Sequence, residues 1–598
     1  MVSGPYYGTI PPAHLIAQGP PSSLPRDLLL EEERRTYAAL RGIRTLLNMK
    51  APINMLPSEL LIEIFLCVQR DYELTRWLVL PSVCRYWFYI ASTTPELWRR
   101  LTVESSTNHL STGLARSRAE VVDLELNLCA HAKGILSRTF KILKPHVHRI
   151  GSLQFRAHSL QRIMRLRDFL DSHSMPQLRS LYLHNMMVRD VHPSLSLSAE
   201  RLPSLRSLRA YGMNILSSSI FSQLHTLRLA DTFLEMAHRL VHFIGMARNL
   251  SNIEHLHVSQ IPGETQSGES QADAILSSAS MVHDKSELRK LRVLEICMEP
   301  RLVRLLLDNI VVPSTASVNI VVMTSPRTPN PSSPSQFLPS DNTCLPVLSD
   351  LRSVKVTVSR QGVTIYGQAT IVEACQRWPS ASVADPFFLY FQGEASKERY
   401  RDTSAEPATA SLLNALLTFL GNTPGLHVLQ IESNTASMKN MDWRATLLAL
   451  PELRELTVRV RHQYSKRSKG GERGNQGSPF PDIESVIKQL DPEQIADLSH
   501  PRPVMPGVVP CPDLKCLRLF GQWTHEDTLV STTKVCMENR RRALGRHQGL
   551  DELELHAHLR VDRDELLRYR REMLEELSSL VGNVYYDGHT ELPCDVFV

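Results

Sequence analysis

The sequence contains no C-x-x-C pair, no G-x-x-x-x-G-K-S/T phosphate loop, no H-E-x-x-H and no G-x-S-x-G. These gaps remove the usual signatures of redox, nucleotide-hydrolysing, zinc-protease and serine-hydrolase chemistry. The 10 cysteines are scattered, and Cys511 and Cys516 form the tightest pair, which fits reduced thiols better than a disulfide framework. No cofactor and no metal site is expected, because the His pairs 146/148, 255/257 and 556/558 bring no further ligands at zinc-site spacing. No run approaches the roughly 18 consecutive apolar residues that a membrane helix needs, and the opening residues lack a charged start followed by an apolar stretch. No membrane partner is expected, and the location expected is cytoplasmic, nuclear or both. A strong charge of one sign is also missing: 67 basic and 62 acidic residues leave a net charge of +5 over 598 residues, which argues against a dedicated nucleic-acid binder.

What is present is apolar patterning. Residues 1–25 are rich in Pro, Gly and Ser and are expected to be disordered. Residues 26–50 carry Leu29, Thr36, Leu40, Ile43 and Leu47 at near-heptad spacing, with Asp27 able to cap, and predict an amphipathic helix that packs on the following domain. Residues 51–103 form a helical segment. Pro57 suits a helix first turn, with Leu56, Leu60, Ile64, Phe65 and Val68 on one apolar side. Val83, Trp87 and Ile90 then recur at i, i+4 and i+7, and Pro95 opens a further turn holding Leu97 and Trp98. Three of the 6 Trp fall between 77 and 98, on a segment too small to bury them robustly alone.

"INMLPSELLIEIF" followed by "LPSVCRYWFYIASTTPELWRRL" resembles the F-box, and the chain as a whole resembles fungal F-box proteins. The resemblance implies docking to the adaptor Skp1 and, through it, to a cullin-based ubiquitin ligase. By similarity the Skp1-binding residues are Leu56, Pro57, Leu60, Ile64, Phe65, Val83, Cys84 and Trp87. The connector "CVQRDYELTRWLVLP" is longer than the compact turn of shorter family members, so the resemblance assigns Trp77 and Leu80 no place.

From residue 120 to 598 one spacing returns, Leu-x-x-Leu-x-Leu or its aliphatic equivalents. Its middle positions are Leu124, Leu153, Leu181, Leu208, Leu227, Leu256, Leu294, Val354, Leu429, Leu456, Leu517 and Leu553. The first separations are 29, 28, 27, 19, 29 and 38 residues, mostly close to the roughly 20 to 29 of leucine-rich repeats. The later ones, 60, 75, 27, 61 and 36, require insertions or unrecognised copies. Polar insertions are expected as surface loops near 261–274, 324–342 and 465–479, and a backing helix near 232–248. The fold class expected is α/β: a short all-helical F-box followed by an irregular leucine-rich-repeat solenoid. A plain α/β domain with a parallel sheet is the alternative, since buried parallel strands give similar apolar runs.

Residues between the buried aliphatics face the open side of such a sheet. Just after the first aliphatic stand Arg179, Arg206, His225, Glu254, Arg292, Arg352, His427, Arg454 and Lys515, and further out Tyr182, Arg209, Arg228 and His257. Arg179, Tyr182, Arg206, Arg209, Arg228 and His257 are the candidate target-binding residues, facing an acidic or phosphorylated protein segment. The function expected is that of a non-enzymatic substrate-recognition subunit. The alternatives are a leucine-rich scaffold outside ubiquitination and an unrecognised α/β enzyme.

Overall fold

Strict alternation of aliphatic and polar residues gives strands with one buried face, and this pattern organises the chain. The computed structural model describes residues 25–71, 76–104, 106–127, 134–186, 193–215, 219–230, 243–259, 285–323, 333–339, 342–359, 362–371, 386–392, 405–421, 425–433, 441–460, 483–493, 508–523, 528–545, 549–558 and 563–589. The expected loops at 261–274 and 465–479 and the first 24 residues lie outside them, as does most of the expected helix at 232–248. Two compact units result, one of residues 1–158 with 172–178, the other of 159–171 with 179–598. No described helix is long and apolar enough to cross a membrane.

The first unit opens with α1 (Arg26–Lys50), in which no residue is buried. Pro25 precedes it and its carbonyl accepts from the backbone of Leu28 and Leu29, so Asp27 sits in the first turn instead of capping. The helical region follows as α2 (Ser58–Asp71), α3 (Leu80–Val83) and α4 (Arg85–Thr93). Three parallel strands come next, β1 (Arg100–Val103), β2 (Val122–Asn127) and β3 (Ile150–Ala157), with α5 (Asn108–Arg116) and α6 (Ile135–Leu143) between them. Leu101, Leu124 and Leu153 lie side by side across these strands. The α5 helix lies so close to β1 that a Cβ on Gly113 would fall 2.3 Å from Leu101 Cδ2, so only glycine fits without displacing that side chain. Arg149 is buried and closes the C-terminal end of α5, donating to the Leu114 carbonyl at 2.7 Å, Ser117 Oγ at 2.8 Å and the Glu120 carbonyl at 3.2 Å.

The second unit is a mixed α/β region built on a long sheet. Its strands are β4 (Ser180–Asn185), β5 (Ser207–Tyr211), β6 (Thr226–Ala230), β7 (His255–Ser259), β8 (Val293–Met298), β9 (Ser317–Met323), β10 (Ser353–Ser359), β11 (Gly362–Gln368), β12 (Phe387–Gln392), β13 (Val428–Ser433), β14 (Glu455–Val460), β15 (Cys516–Gln522), β16 (Glu552–His558) and β17 (Asn583–His589). Consecutive strands pair in parallel from β4 to β9 and again from β13 to β17. One register row joins them: Leu181, Leu208, Leu227, Leu256, Leu294 and Val318 in the first run, then Leu429, Leu456, Leu517, Leu553 and Val584. Every middle position expected from the spacing in this unit falls on the row.

Between the two runs the order departs from a simple stack. The β9 strand pairs with β12, β12 with β11 and β11 with β10, and β10 then pairs with β13. The β11 strand is antiparallel to both neighbours. Gly367 holds the row position here, because a Cβ would lie 2.8 Å from Leu351 Cδ2 and 3.2 Å from Phe387 Cβ. The long spacings are thus filled partly by strands the repeat pattern missed: three positions before Val318 of β9 the sequence has Thr315, and three before Phe387 of β12 it has Ala384, where the pattern expects a large aliphatic.

Helices α8 (Pro300–Asn309), α9 (Ala405–Gly421), α10 (Trp443–Leu448), α11 (Ile483–Leu490), α12 (Leu529–Leu544) and α13 (Arg563–Leu577) fall in the connections, and α7 (Leu160–Ser172) precedes β4. From α9 onward successive helices pack on one another. Arg540 on α12 is buried and donates to the carbonyls of Pro510 at 2.6 Å and Cys511 at 2.9 Å, satisfying loop groups that water does not reach. Of the expected insertion at 324–342, residues 333–339 and 342 are described, and there Phe337 and Leu338 are buried, the Phe337 ring lying 6.4 Å from Phe391.

Leu456 lies between Leu429 and Leu517 inside the second run. Leu456→Ala is expected to destabilise the chain by about 2 to 5 kcal/mol, the range for buried leucine truncation. Urea unfolding checks it; a loss below about 1 kcal/mol would show that the row does not carry the core.

Candidate functional site

The helical region begins with a tight turn at Pro52–Met55, where Asn54 Nδ2 donates to the Asn48 carbonyl at 2.7 Å. Leu56 is extended, as a residue before proline prefers. The Pro57 carbonyl accepts from the backbone of Leu60 at 3.1 Å and Leu61 at 3.2 Å, starting α2. Along α2, Leu61, Phe65 and Gln69 follow at i, i+4 and i+8 and are buried. Gln69 Nε2 donates to the Leu97 carbonyl at 3.0 Å, so the one polar member of that stripe is satisfied. Leu60 and Ile64, each one position earlier, are 51% and 38% exposed.

The second half is built against this stripe. Cys84, with φ −155° and ψ 169°, breaks α3 from α4. Trp87 on α4 is half-buried, its ring 5.0 Å from Phe65 and its indole N–H donating to Asn54 Oδ1 at 2.6 Å. Ile90 and Ala91 are buried, whereas Val83, Tyr86, Phe88 and Tyr89 on the same segment are exposed, Val83 at 54%. Trp77 and Trp98 are buried with ring centroids 5.1 Å apart, and Trp98 donates to the Ala91 carbonyl at 2.6 Å. The Arg116 guanidinium lies 4.7 Å from the Trp98 ring.

The eight residues expected to face an adaptor therefore divide. Pro57, Leu60, Ile64 and Val83 are exposed, and Leu56, Cys84 and Trp87 are partly so. Phe65 is 0% exposed and has no surface to offer a partner in this structure. Leu61, which the apolar pattern passed over, is the other inward anchor; its i, i+4 relation to Phe65 was the available signal.

The six candidate target residues lie on the outward face of the second unit. Tyr182, Arg209, Arg228 and His257 are register partners across β4 to β7. Arg179 and Arg206 stand just before β4 and β5, and the backbone N–H groups of Arg206 and Ser207 both donate to the Arg179 carbonyl at 2.9 Å. His257 differs from the rest, because its Nδ1 donates to Glu295 at 2.6 Å. Sequence reasoning missed the aromatic neighbours: Tyr211 lies 5.3 Å from Tyr182 and 5.4 Å from His184, and the Arg228 guanidinium 5.8 Å from the Tyr211 ring.

Beyond β7 several outward cations are paired with acids. Lys355 pairs with Glu432 at 3.2 Å, and Arg292 with Glu254 at 3.7 Å. Arg518 meets Glu552 at 3.0 Å, Glu554 at 3.2 Å and Glu455 at 3.6 Å. A hydrogen bond from His556 holds the Glu554 carboxyl below its usual range, with the Arg518 charge adding to the effect. Among the described residues no three His, Cys, Asp or Glu side chains are grouped to hold a metal.

Residues 53–104 match the F-box-like family, so the helical region with its exposed apolar residues is an F-box-like domain. No curated protein matches the chain.

The division between inward and outward apolar residues is testable by stability. Phe65→Ala is expected to cost about 3 to 5 kcal/mol as a buried aromatic truncation. Leu60→Ser and Val83→Ser are expected to stay within about 0.5 kcal/mol of the native chain. Urea unfolding followed by tryptophan fluorescence separates the two; equal losses would place Leu60 and Val83 in the core.

Proposed function

We propose that the chain is the substrate-recognition subunit of a Skp1–cullin–F-box ubiquitin ligase, with the F-box-like domain docking Skp1 and the long sheet binding the target protein. The observation that carries this reading is the exposure of Leu60, Ile64 and Val83 within the segment that matches the F-box-like family. Fully burying an exposed Leu, Ile or Val is worth about 1.5 to 3 kcal/mol, and these three, with roughly half of their surface still exposed, add about 1 kcal/mol each when covered, a share of a micromolar contact. The inward residues already satisfy one another through Phe65, Trp87 and Asn54, so the outward ones are free for a partner without unfolding the domain.

In this reading the second unit is an irregular leucine-rich repeat, supported by the single row of aliphatic residues that its parallel strands share. The chain supplies no nucleophile and is not itself an enzyme; it accelerates transfer by holding a target lysine near a charged carrier. It works in the cytoplasm, the nucleus or both.

Co-purification of the full chain with Skp1 and cullin tests the adaptor role. Leu60→Asp combined with Ile64→Asp and Val83→Asp is expected to reduce recovered Skp1 at least tenfold while the unfolding midpoint stays near that of the native chain. Failure of the native chain to retain Skp1, or undiminished retention by the triple variant, overturns the assignment.

A further inference from the structure

In the long sheet, carboxylates stand beside several outward cations, as Glu432 beside Lys355 and Glu455, Glu552 and Glu554 around Arg518, whereas Arg454, Arg459 and Lys515 form no ion pair among the described residues. The strands β4, β5 and β6 read SLYLHN, SLRAY and TLRLA and contain no carboxylate. Arg209 and Arg228 are direct register partners on β5 and β6. Like charges directly opposite each other destabilise a sheet. Farther along, the same row sets His257 beside Glu295, to which it donates a hydrogen bond, and Arg518 against the opposite charge of Glu554. Arg228 also keeps a buried Nε donor without an acceptor, although its neighbour Tyr211 presents a ring face. Arg179 and Arg206 add two exposed guanidinium groups at the edge of this stretch. None of the four arginines forms an ion pair among the described residues.

We propose that the outward face of β4 to β6 binds an acidic, Asp- and Glu-rich protein segment, with Arg209 and Arg228 clamping a carboxylate between them and Tyr182 and Tyr211 forming an apolar floor. The proposal deepens the target-binding role given above and rests on it. Charge complementarity selects the occupant: Arg209 and Arg228, on strands with no acid, and Arg179 and Arg206 before them form no ion pair among the described residues, although Arg206 donates to the carbonyls of Pro203 and Leu205, and guanidinium forks pair with carboxylates in two parallel hydrogen bonds. The aromatic pair beside them favours an occupant that also carries apolar surface, as a peptide does. His257 falls outside the site because Glu295 already occupies it.

The experiment uses the full chain without Skp1, so a failure of adaptor docking leaves its readout intact. Fluorescence anisotropy would follow a labelled twelve-residue peptide of alternating Asp and Tyr, a matched peptide of alternating Asn and Tyr, and one of alternating phosphoserine and Tyr. The native chain is expected to bind the Asp peptide at least tenfold more tightly than the Asn peptide, and to lose that preference in 0.5 M salt. Arg209→Glu with Arg228→Glu is expected to weaken the Asp peptide at least tenfold. Arg209→Gln with Arg228→Gln, which keeps a polar side chain of similar length, is expected to weaken it by a smaller factor and guards against misfolding. Arg289→Glu, on an exposed turn and already beside Glu287, is expected to change binding less than twofold. Equal binding of the Asp and Asn peptides, or undiminished binding by both double variants, overturns the proposal. Binding of the phosphoserine peptide alone also overturns it and assigns the face to phosphate.

Discussion

Register between parallel strands is the constraint on which the second unit depends. Each strand of its two parallel runs places one aliphatic residue beside the equivalent residue of its neighbour, as Leu227 stands beside Leu208 and Leu256. Side chains alternate between faces with a period of two, so a slip of one residue would move every aliphatic side chain to water and every arginine inward. The core therefore fixes the outer face as well. Arg209 stands against Arg228, and Arg518 among three glutamates, because Leu208, Leu227, Leu517 and Leu553 hold their strands in that register.

The F-box-like domain solves a different problem with the same kind of residue. An amphipathic helix with one apolar stripe buries it and leaves a polar back. The α2 helix instead carries two adjacent stripes, Leu61 and Phe65 inward and Leu60 and Ile64 outward. Half-burial of Trp87 is possible because Asn54 accepts its N–H, which keeps a polar group of that ring satisfied at the boundary. The inward stripe is complete without the outward one, and that is why the exposed residues are a surface and not an unfinished core.

How much of this could be read from sequence follows from which interactions are local. The period-two alternation located twelve strands across the two units, since each strand's buried face is written in its own residues. It missed β9 and β12, because the sequence has Thr315 three positions before Val318 and Ala384 three before Phe387, where the spacing expects a large aliphatic. It also could not foresee the antiparallel β11, because strand direction is set by partners far along the chain. In the helical domain the Leu-Pro opening and the Trp pattern were legible, but the burial of Phe65 beside exposed Ile64 was not. One hundred degrees of rotation separates neighbours on a helix, and only the packed partner decides which of two adjacent apolar residues turns inward.

Charge shows the same limit more sharply. A net charge of +5 on a long chain reads as near balance. The sheet separates that balance along its length: cations without acids on β4 to β6, and a dense exchange of Arg518 with Glu455, Glu552 and Glu554 across β14 to β16. His257 and Glu295 are 38 positions apart in sequence, yet register makes them neighbours and removes His257 from the unmatched set. Composition counts charges, whereas a parallel sheet decides which of them meet. Register places Arg209 beside Arg228 on strands that supply no acid, so the charge pattern of this face is set by the core row and not by composition.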